Sequence, residues 1–193
     1  MQKRIYIIHG WDGCPEEGWF PWLKKELENQ GFTVIVPLLP NNEEPRIKNW
    51  IPALQQIVNN PNEQTYFIGH SMGCQAIIRY LETLPKNTKI GGAVFVAGFF
   101  KSLSNLEDEE MVRDVANEWL KTPINLREAK KHLNKSIAIF SDDDPYVPLG
   151  NQDKFKNILN SKIIIEHEKK HFSGSTGTIE LPIALEAILE ISK

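Results

Sequence analysis

Apolar positions along the chain follow two alternating rhythms. Short runs rich in Ile, Val, Phe and Tyr, at residues 4–8, 33–37, 65–68, 92–97, 136–141 and 162–166, have the length and composition of buried strands. Between them lie segments where apolar residues recur at the helical period, at 19–30, 47–59, 72–84, 150–160 and 178–192. In the third of these, Cys74, Ile77, Ile78 and Leu81 recur at i, i+3, i+4 and i+7, which gives the helix one apolar face to lay on a sheet. Pro85 closes that helix, because a proline past the last periodic residue cannot extend the hydrogen-bond ladder. The alternation runs from end to end and predicts βαβ units. The expected fold is α/β with three layers, helix, sheet and helix, around a mostly parallel, twisted sheet of about six strands.

One stretch breaks the rhythm. Residues 101–135 separate the fourth strand from the fifth by more than one crossover helix requires, so two helices are expected there as a short cap-like insertion over one end of the sheet. Ser104 with Glu107 three residues on fits a capping box, and Met111, Val112, Val115 and Trp119 follow at helical spacing. The proline-rich stretch 37–45 reads as a loop rimming the sheet. No internal repeat or low-complexity tract interrupts the chain, and residues 1–193 are read as one domain.

Composition narrows the function more than the fold. With 193 residues, 41% hydrophobic and 24% charged, the chain can bury a core without staples. Its two cysteines, Cys14 and Cys74, make no disulfide framework and read as structural. Twenty-two Lys and Arg against 25 Asp and Glu give a net charge of −3, which lacks the basic footprint of a nucleic-acid binder. The longest apolar runs fall short of the about 20 residues that span a bilayer, and no leader pattern opens the chain, so no membrane partner and a cytoplasmic location are expected. A small molecule is the expected partner. The acidic stretch 107–118 offers a rival reading, a protein-binding surface on a scaffold with little or no catalysis.

The sharpest chemical signal is Gly69-His70-Ser71-Met72-Gly73, a G-x-S-x-G set directly after a predicted strand and directly before a predicted helix. Small residues flank a serine there because a sharp strand-to-helix turn leaves no room for bulk. A serine hydroxyl is a weak nucleophile without a base, so the motif demands a histidine, and the histidine an orienting carboxylate. In this architecture the order is Ser, then Asp or Glu, then His, each beyond the carboxyl end of a strand. Ser141-Asp142-Asp143-Asp144-Pro145 follows the fifth strand and His171 follows the sixth. The three aspartates are chemically equivalent at this level. His171, in the loop, is a better base than His167 at the strand's end, while His132, behind two lysines, reads as a surface residue. His9 reads as structural, hydrogen-bonded within its own loop.

His167-Glu168-Lys169-Lys170-His171 also matches H-E-x-x-H, whose two histidines bind zinc from one helix face. The strand-like run before it and the Ser/Gly-rich run after it deny the helix, so neither a metal nor a cofactor is expected. An acyl-transfer site needs backbone N–H donors for the oxyanion, and the amides of Met72 and Trp11 are the candidates. The acyl pocket is expected to draw on Trp119 and Leu120 from the insertion and on Trp11, Trp19 and Phe20, or equally these aromatics are core, the commoner fate of a helical apolar stripe.

On His9-Gly10, the Gly69 to Gly73 motif, Asp143-Asp144-Pro145-Tyr146-Val147-Pro148 and His171-Phe172, the chain resembles the α/β-hydrolase superfamily. More narrowly, it resembles the small serine hydrolases of the retinoblastoma-binding protein 9 and YdeN-like family, nearly end to end. The resemblance implies a compact α/β-hydrolase fold without a large lid and a serine hydrolase; the substrate expected of it is a carboxylic ester, with a thioester or amide as the less favoured alternatives. It selects the aspartate before the proline, Asp144, as the acid, beside Ser71 and His171. Two positions depart from the family's pattern: Lys170 stands where a glycine usually precedes the histidine, and Cys74 follows the elbow where many hydrolases have another glycine.

Overall fold

A computed structural model describes residues 2–193. Its six strands are β1 (Arg4–Ile8), β2 (Thr33–Ile35), β3 (Thr65–His70), β4 (Ile90–Val96), β5 (Leu133–Ser141) and β6 (Lys162–Glu166). They form one sheet in the order β2-β1-β3-β4-β5-β6, every neighbouring pair parallel. Seven helices join them: α1 (Phe20–Asn29), α2 (Ile47–Ile57), α3 (Met72–Glu82), α4 (Glu110–Lys121), α5 (Leu126–His132), α6 (Gln152–Asn157) and α7 (Pro182–Ile191).

Alternation along the strands builds two apolar layers. Tyr6, Ile8, Phe67, Phe95, Ala138 and Phe140 meet residues of α2, α3 and α6 on one face. Ile5, Ile7, Ile68, Val94, Val96 and Ile139 meet α1 and α7 on the other. The result is the expected three-layer α/β arrangement.

The chain steps outward from β1 to β2, then returns past β1 to β3 and proceeds one way to β6. Direction therefore reverses at β1 and β3, and a crevice opens beyond their carboxyl ends. His9 follows β1 there and Ser71 follows β3.

The two insertion helices exist as α4 and α5, but α4 starts at Glu110 with Glu109 as its N-cap, so Ser104 caps nothing. Segment 104–105 is engaged elsewhere: Ser104 N donates to Tyr146 O at 2.9 Å and Asn105 Nδ2 to Pro145 O at 2.7 Å. Helix α4 stands against α2 and the loop before it, with Trp119 edge-on to Trp50 at 5.5 Å and its Nε1 donating to Pro45 O at 2.9 Å, and its first turn at Met111 and Val112 lines a surface hollow with Trp11, Asp12 and Tyr146. Arg79 of α3 donates to the carbonyls of Trp119, Thr122 and Pro123, satisfying acceptors that the end of α4 leaves without helical partners. Arg46 pairs with Asp114 and Glu118, so part of the acidic stretch is spent inside the molecule. His132, expected at the surface, is buried, with Nδ1 donating to Thr88 O at 2.8 Å where α5 runs directly into β5.

Candidate active site

Ser71 sits between β3 and α3 with φ 52° and ψ −119°, a conformation that side chains resist. The two glycines of the motif make it possible. A Cβ on Gly73 would stand 2.3 Å from Ile8 O, and one on Gly69 would stand 2.8 Å from Cys74 N. Ser71 N donates to Val96 O at 2.8 Å, which ties the elbow to β4. Cys74, buried one residue beyond, donates from Sγ to Gly69 O at 3.1 Å, and burial raises its thiol pKa well above the ordinary value. It belongs to the packing of the elbow.

The loop after β6 carries His171, whose Nδ1 donates to Asp144 Oδ2 at 2.8 Å. The Asp144 side chain is 2% exposed and that of His171 11%. Asp144 Oδ1 accepts from the Tyr146 and Val147 amides at 2.8 and 3.0 Å, so the carboxylate is held from both sides. The other two aspartates have other partners. Asp142 takes His167 at 2.6 Å and Asp143 takes Lys170. Residues 167–171 are not helical, and His167 and His171 turn to different aspartates, so the H-E-x-x-H pattern does not present a shared ligand face. Among the described residues no group of three or more His, Cys, Asp or Glu is arranged to hold a metal ion.

Two further histidines lie near His171. His70 is buried against Trp19 and Phe20 and donates from Nε2 to the His171 carbonyl at 2.8 Å. Burial drives its pKa down to about 3, helped by the nearby His171, so the ring is neutral and its Nε2–H supports the backbone of His171. His9 accepts Leu39 N–H at Nε2 and donates from Nδ1 to Gly10 O, the structural role expected of it. Trp19 Nε1 donates to Phe172 O at 2.8 Å and pins the far side of the same loop.

Ser71 and His171 line one cavity of about 390 Å³ together with Trp11, Met72, Phe99, Leu103, Leu106 and Tyr146. Among the described residues Ser71 and His171 are not hydrogen-bonded to each other. The Trp11 and Met72 amides donate to no backbone carbonyl of the turns and loops. Of the two readings of the aromatics, Trp119, Trp19 and Phe20 follow the core one, Leu120 packs partly buried against the same core, and Trp11 alone of that group lines the cavity. The insertion contributes Leu103 and Leu106, which precede its helices and carried no periodic signal. Asp12 and Glu17 supply the acidic edge of the cavity, and burial lifts the Glu17 carboxyl above its ordinary pKa.

A parallel sheet whose direction reverses beside a serine on a strained strand-to-helix elbow, with a histidine and an aspartate on later loops, defines an α/β hydrolase. The sequence profile of the family described as serine hydrolase matches residues 5–190, and the chain belongs to that family. It is 30% identical to the putative hydrolase YdeN of Bacillus subtilis strain 168 over 97% of this chain and 95% of that protein. The crystal structure of that gene product superposes with a TM-score of 0.89 at 29% identity, covering 98% of both chains. Serine hydrolase RBBP9 of Rattus norvegicus is 27% identical over 82% of this chain and 80% of that one. A structure described with the carboxylesterases of Nitrososphaera gargenis shares the fold, with a TM-score of 0.72 at 16% identity over 98% and 89% of the two chains. The protein is therefore a hydrolase of the serine type.

Proposed function

We propose that the enzyme hydrolyses carboxylic esters of small molecules through an acyl-enzyme formed on Ser71. The observation that carries this reading is a strained, cavity-lining serine beside a histidine whose far nitrogen is held by a buried aspartate. Ser71 Oγ attacks the ester carbonyl while His171 Nε2 takes its proton, and Asp144 holds the ring's tautomer and balances the imidazolium. The tetrahedral oxyanion is bound by the Met72 and Trp11 amides, which have no competing backbone acceptor in the surrounding turns. Collapse expels the alcohol, protonated by His171. Water then attacks the acyl-enzyme by the same route and restores the serine. A contact between serine and histidine that is open at rest suits this scheme, because such hydrogen bonds tighten once substrate is bound. The ester chemistry is favoured over thioester or amide by the carboxylesterase named among the structural neighbours.

A fluorophosphonate probe and a p-nitrophenyl butyrate assay test the proposal together. Wild type is expected to label stoichiometrically and turn over, and Ser71→Ala to do neither. Equal labelling of the two proteins would overturn the assignment.

A further inference from the structure

Residues 167–173, around His171, include no glycine, yet Glu168, Lys170 and Phe172 have φ of 53°, 52° and 52°. These are left-handed conformations that glycine adopts freely and other residues resist. Three in alternation need support from outside the loop.

For Glu168 and Lys170 that support comes from residues 141–144, and for Phe172 from its own N–H on Lys169 O at 3.1 Å and the Trp19 indole on its carbonyl. Strands β5 and β6 pair in parallel up to Ser141 opposite Glu166. Beyond the sheet the pairing continues through side chains. Asp142 N donates to Glu166 O at 3.1 Å, and Asp142 Oδ1 accepts Glu168 N–H at 3.0 Å. Ser141 Oγ accepts Lys169 N–H at 2.9 Å and donates to Asp143 Oδ1 at 2.7 Å. Asp143 Oδ1 also accepts Lys170 N–H at 2.8 Å, while Oδ2 meets Lys170 Nζ at 2.8 Å. Asp144 comes next, on His171.

Lys170 is thus the residue beside the base whose backbone N–H and ammonium are both bound by one carboxylate. We propose that Asp143 is a positioning residue for His171: by gripping Lys170 at two points it holds residue 170 in the left-handed conformation that sets the imidazole between Ser71 and Asp144. The proposal rests on the catalytic reading of those three residues. An exposed ion pair alone contributes little; the backbone N–H bond is what couples Asp143 to the direction of the chain. Asp143 does for this loop what a glycine would do by its own freedom, and that equivalence can be tested by rescue.

Kinetics with p-nitrophenyl butyrate should be compared for wild type, Asp143→Ala, Lys170→Gly and the double variant, at a temperature where thermal unfolding shows all four folded. Asp143→Ala is expected to lower kcat about tenfold or more with KM within about twofold, because a displaced base costs rate rather than binding. A glycine at 170 enters the left-handed conformation without the strain that the carboxylate offsets, so the double variant should regain at least about half the rate of Lys170→Gly alone. The proposal fails if Asp143→Ala keeps kcat within about twofold of wild type, or if the double variant is no faster than Asp143→Ala. Fluorophosphonate labelling of Ser71→Ala in the same series separates the two failures. If that variant labels like wild type, the catalytic reading itself has failed; if it does not label and Asp143→Ala retains kcat, only the positioning role has.

Discussion

Asp142, Asp143 and Asp144 are one chemical type in sequence and three different groups in space. Only Asp144 is buried against His171 and given two backbone N–H donors, so Asp144→Asn, which can leave His171 in the wrong tautomer, is expected to lower kcat by about 10³- to 10⁴-fold. Asp142→Asn, at an exposed pair with His167, should cost about tenfold or less under the same assay. Equal losses in the two variants would contradict the division of roles. This distinction was not legible in the residues themselves; it came from resemblance to a family, because side-chain type does not report which carboxylate a fold will bury. His70 occupies a variable position of the G-x-S-x-G motif, which carries no signal in the sequence, and it carries a pH dependence. In the unfolded chain it takes up a proton as pH falls through its ordinary value of 6.5, whereas the folded ring stays neutral until about 3. Between those limits the unfolded state binds the extra proton, so stability drops as pH falls, by up to about 1.4 kcal/mol per pH unit. His9, also lowered by burial, acts in the same direction. His167, raised by Asp142, acts oppositely, its contribution being present at low pH and lost as pH rises through its folded value. Urea unfolding at pH 7 and pH 5 should therefore show a smaller loss for His70→Gln, whose amide can still donate to the His171 carbonyl, than for wild type. Identical losses would remove His70 from the account.

Strand β6 was read from the sequence with its observed limits, and β1 likewise, because continuous apolar runs between turn residues leave few alternatives in a parallel sheet. Helix starts were less legible. The Ser104 to Glu107 pattern failed as a cap because residues 104 and 105 bond to the loop after β5, a tertiary choice that a local pattern cannot contain. The last helix begins at Pro182 rather than at 178, after a left-handed Gly177 with φ 86°. Its proline at the first helical position was the available signal. Helix α4 shows how an element can be fixed by a residue outside it. Arg79 is buried on α3, bonded to Gln75 and to three carbonyls at the end of α4. Arg79→Met should cost about 2–4 kcal/mol in urea unfolding, since it leaves buried acceptors without their charged donor. It should also make residues 101–125 the first site of limited proteolysis. Unchanged stability and an unchanged cleavage pattern would mean that the Arg46 contacts alone hold the helix.

At the scale of the molecule the insertion decides how substrate enters. A helix lying over the serine would have to leave before an ester could bind, and such enzymes gain activity at an oil–water boundary. Here α4 is fastened at one end by Arg79 and along its acidic side by Arg46, and its Trp119 packs on Trp50 of α2. Among the described residues of the insertion, Leu103 and Leu106 of the preceding loop line the cavity, together with the apolar Phe99 and Trp11. A cavity of about 390 Å³ is at the lower end of the range for small-molecule sites. Each methylene that finds room in it should add about 0.8 kcal/mol, close to fourfold in kcat/KM, until the wall is reached and the gain reverses. Two results are expected from a series of p-nitrophenyl esters of rising acyl length. Specificity should peak at a short or medium chain, and Leu106→Trp should move the peak toward shorter acyl groups without affecting acetate. Rate against concentration should also follow a single hyperbola through the solubility limit of the longer esters. A jump in rate at that limit would show that a covering element moves, and would require the Arg79 and Arg46 contacts to break in the active form.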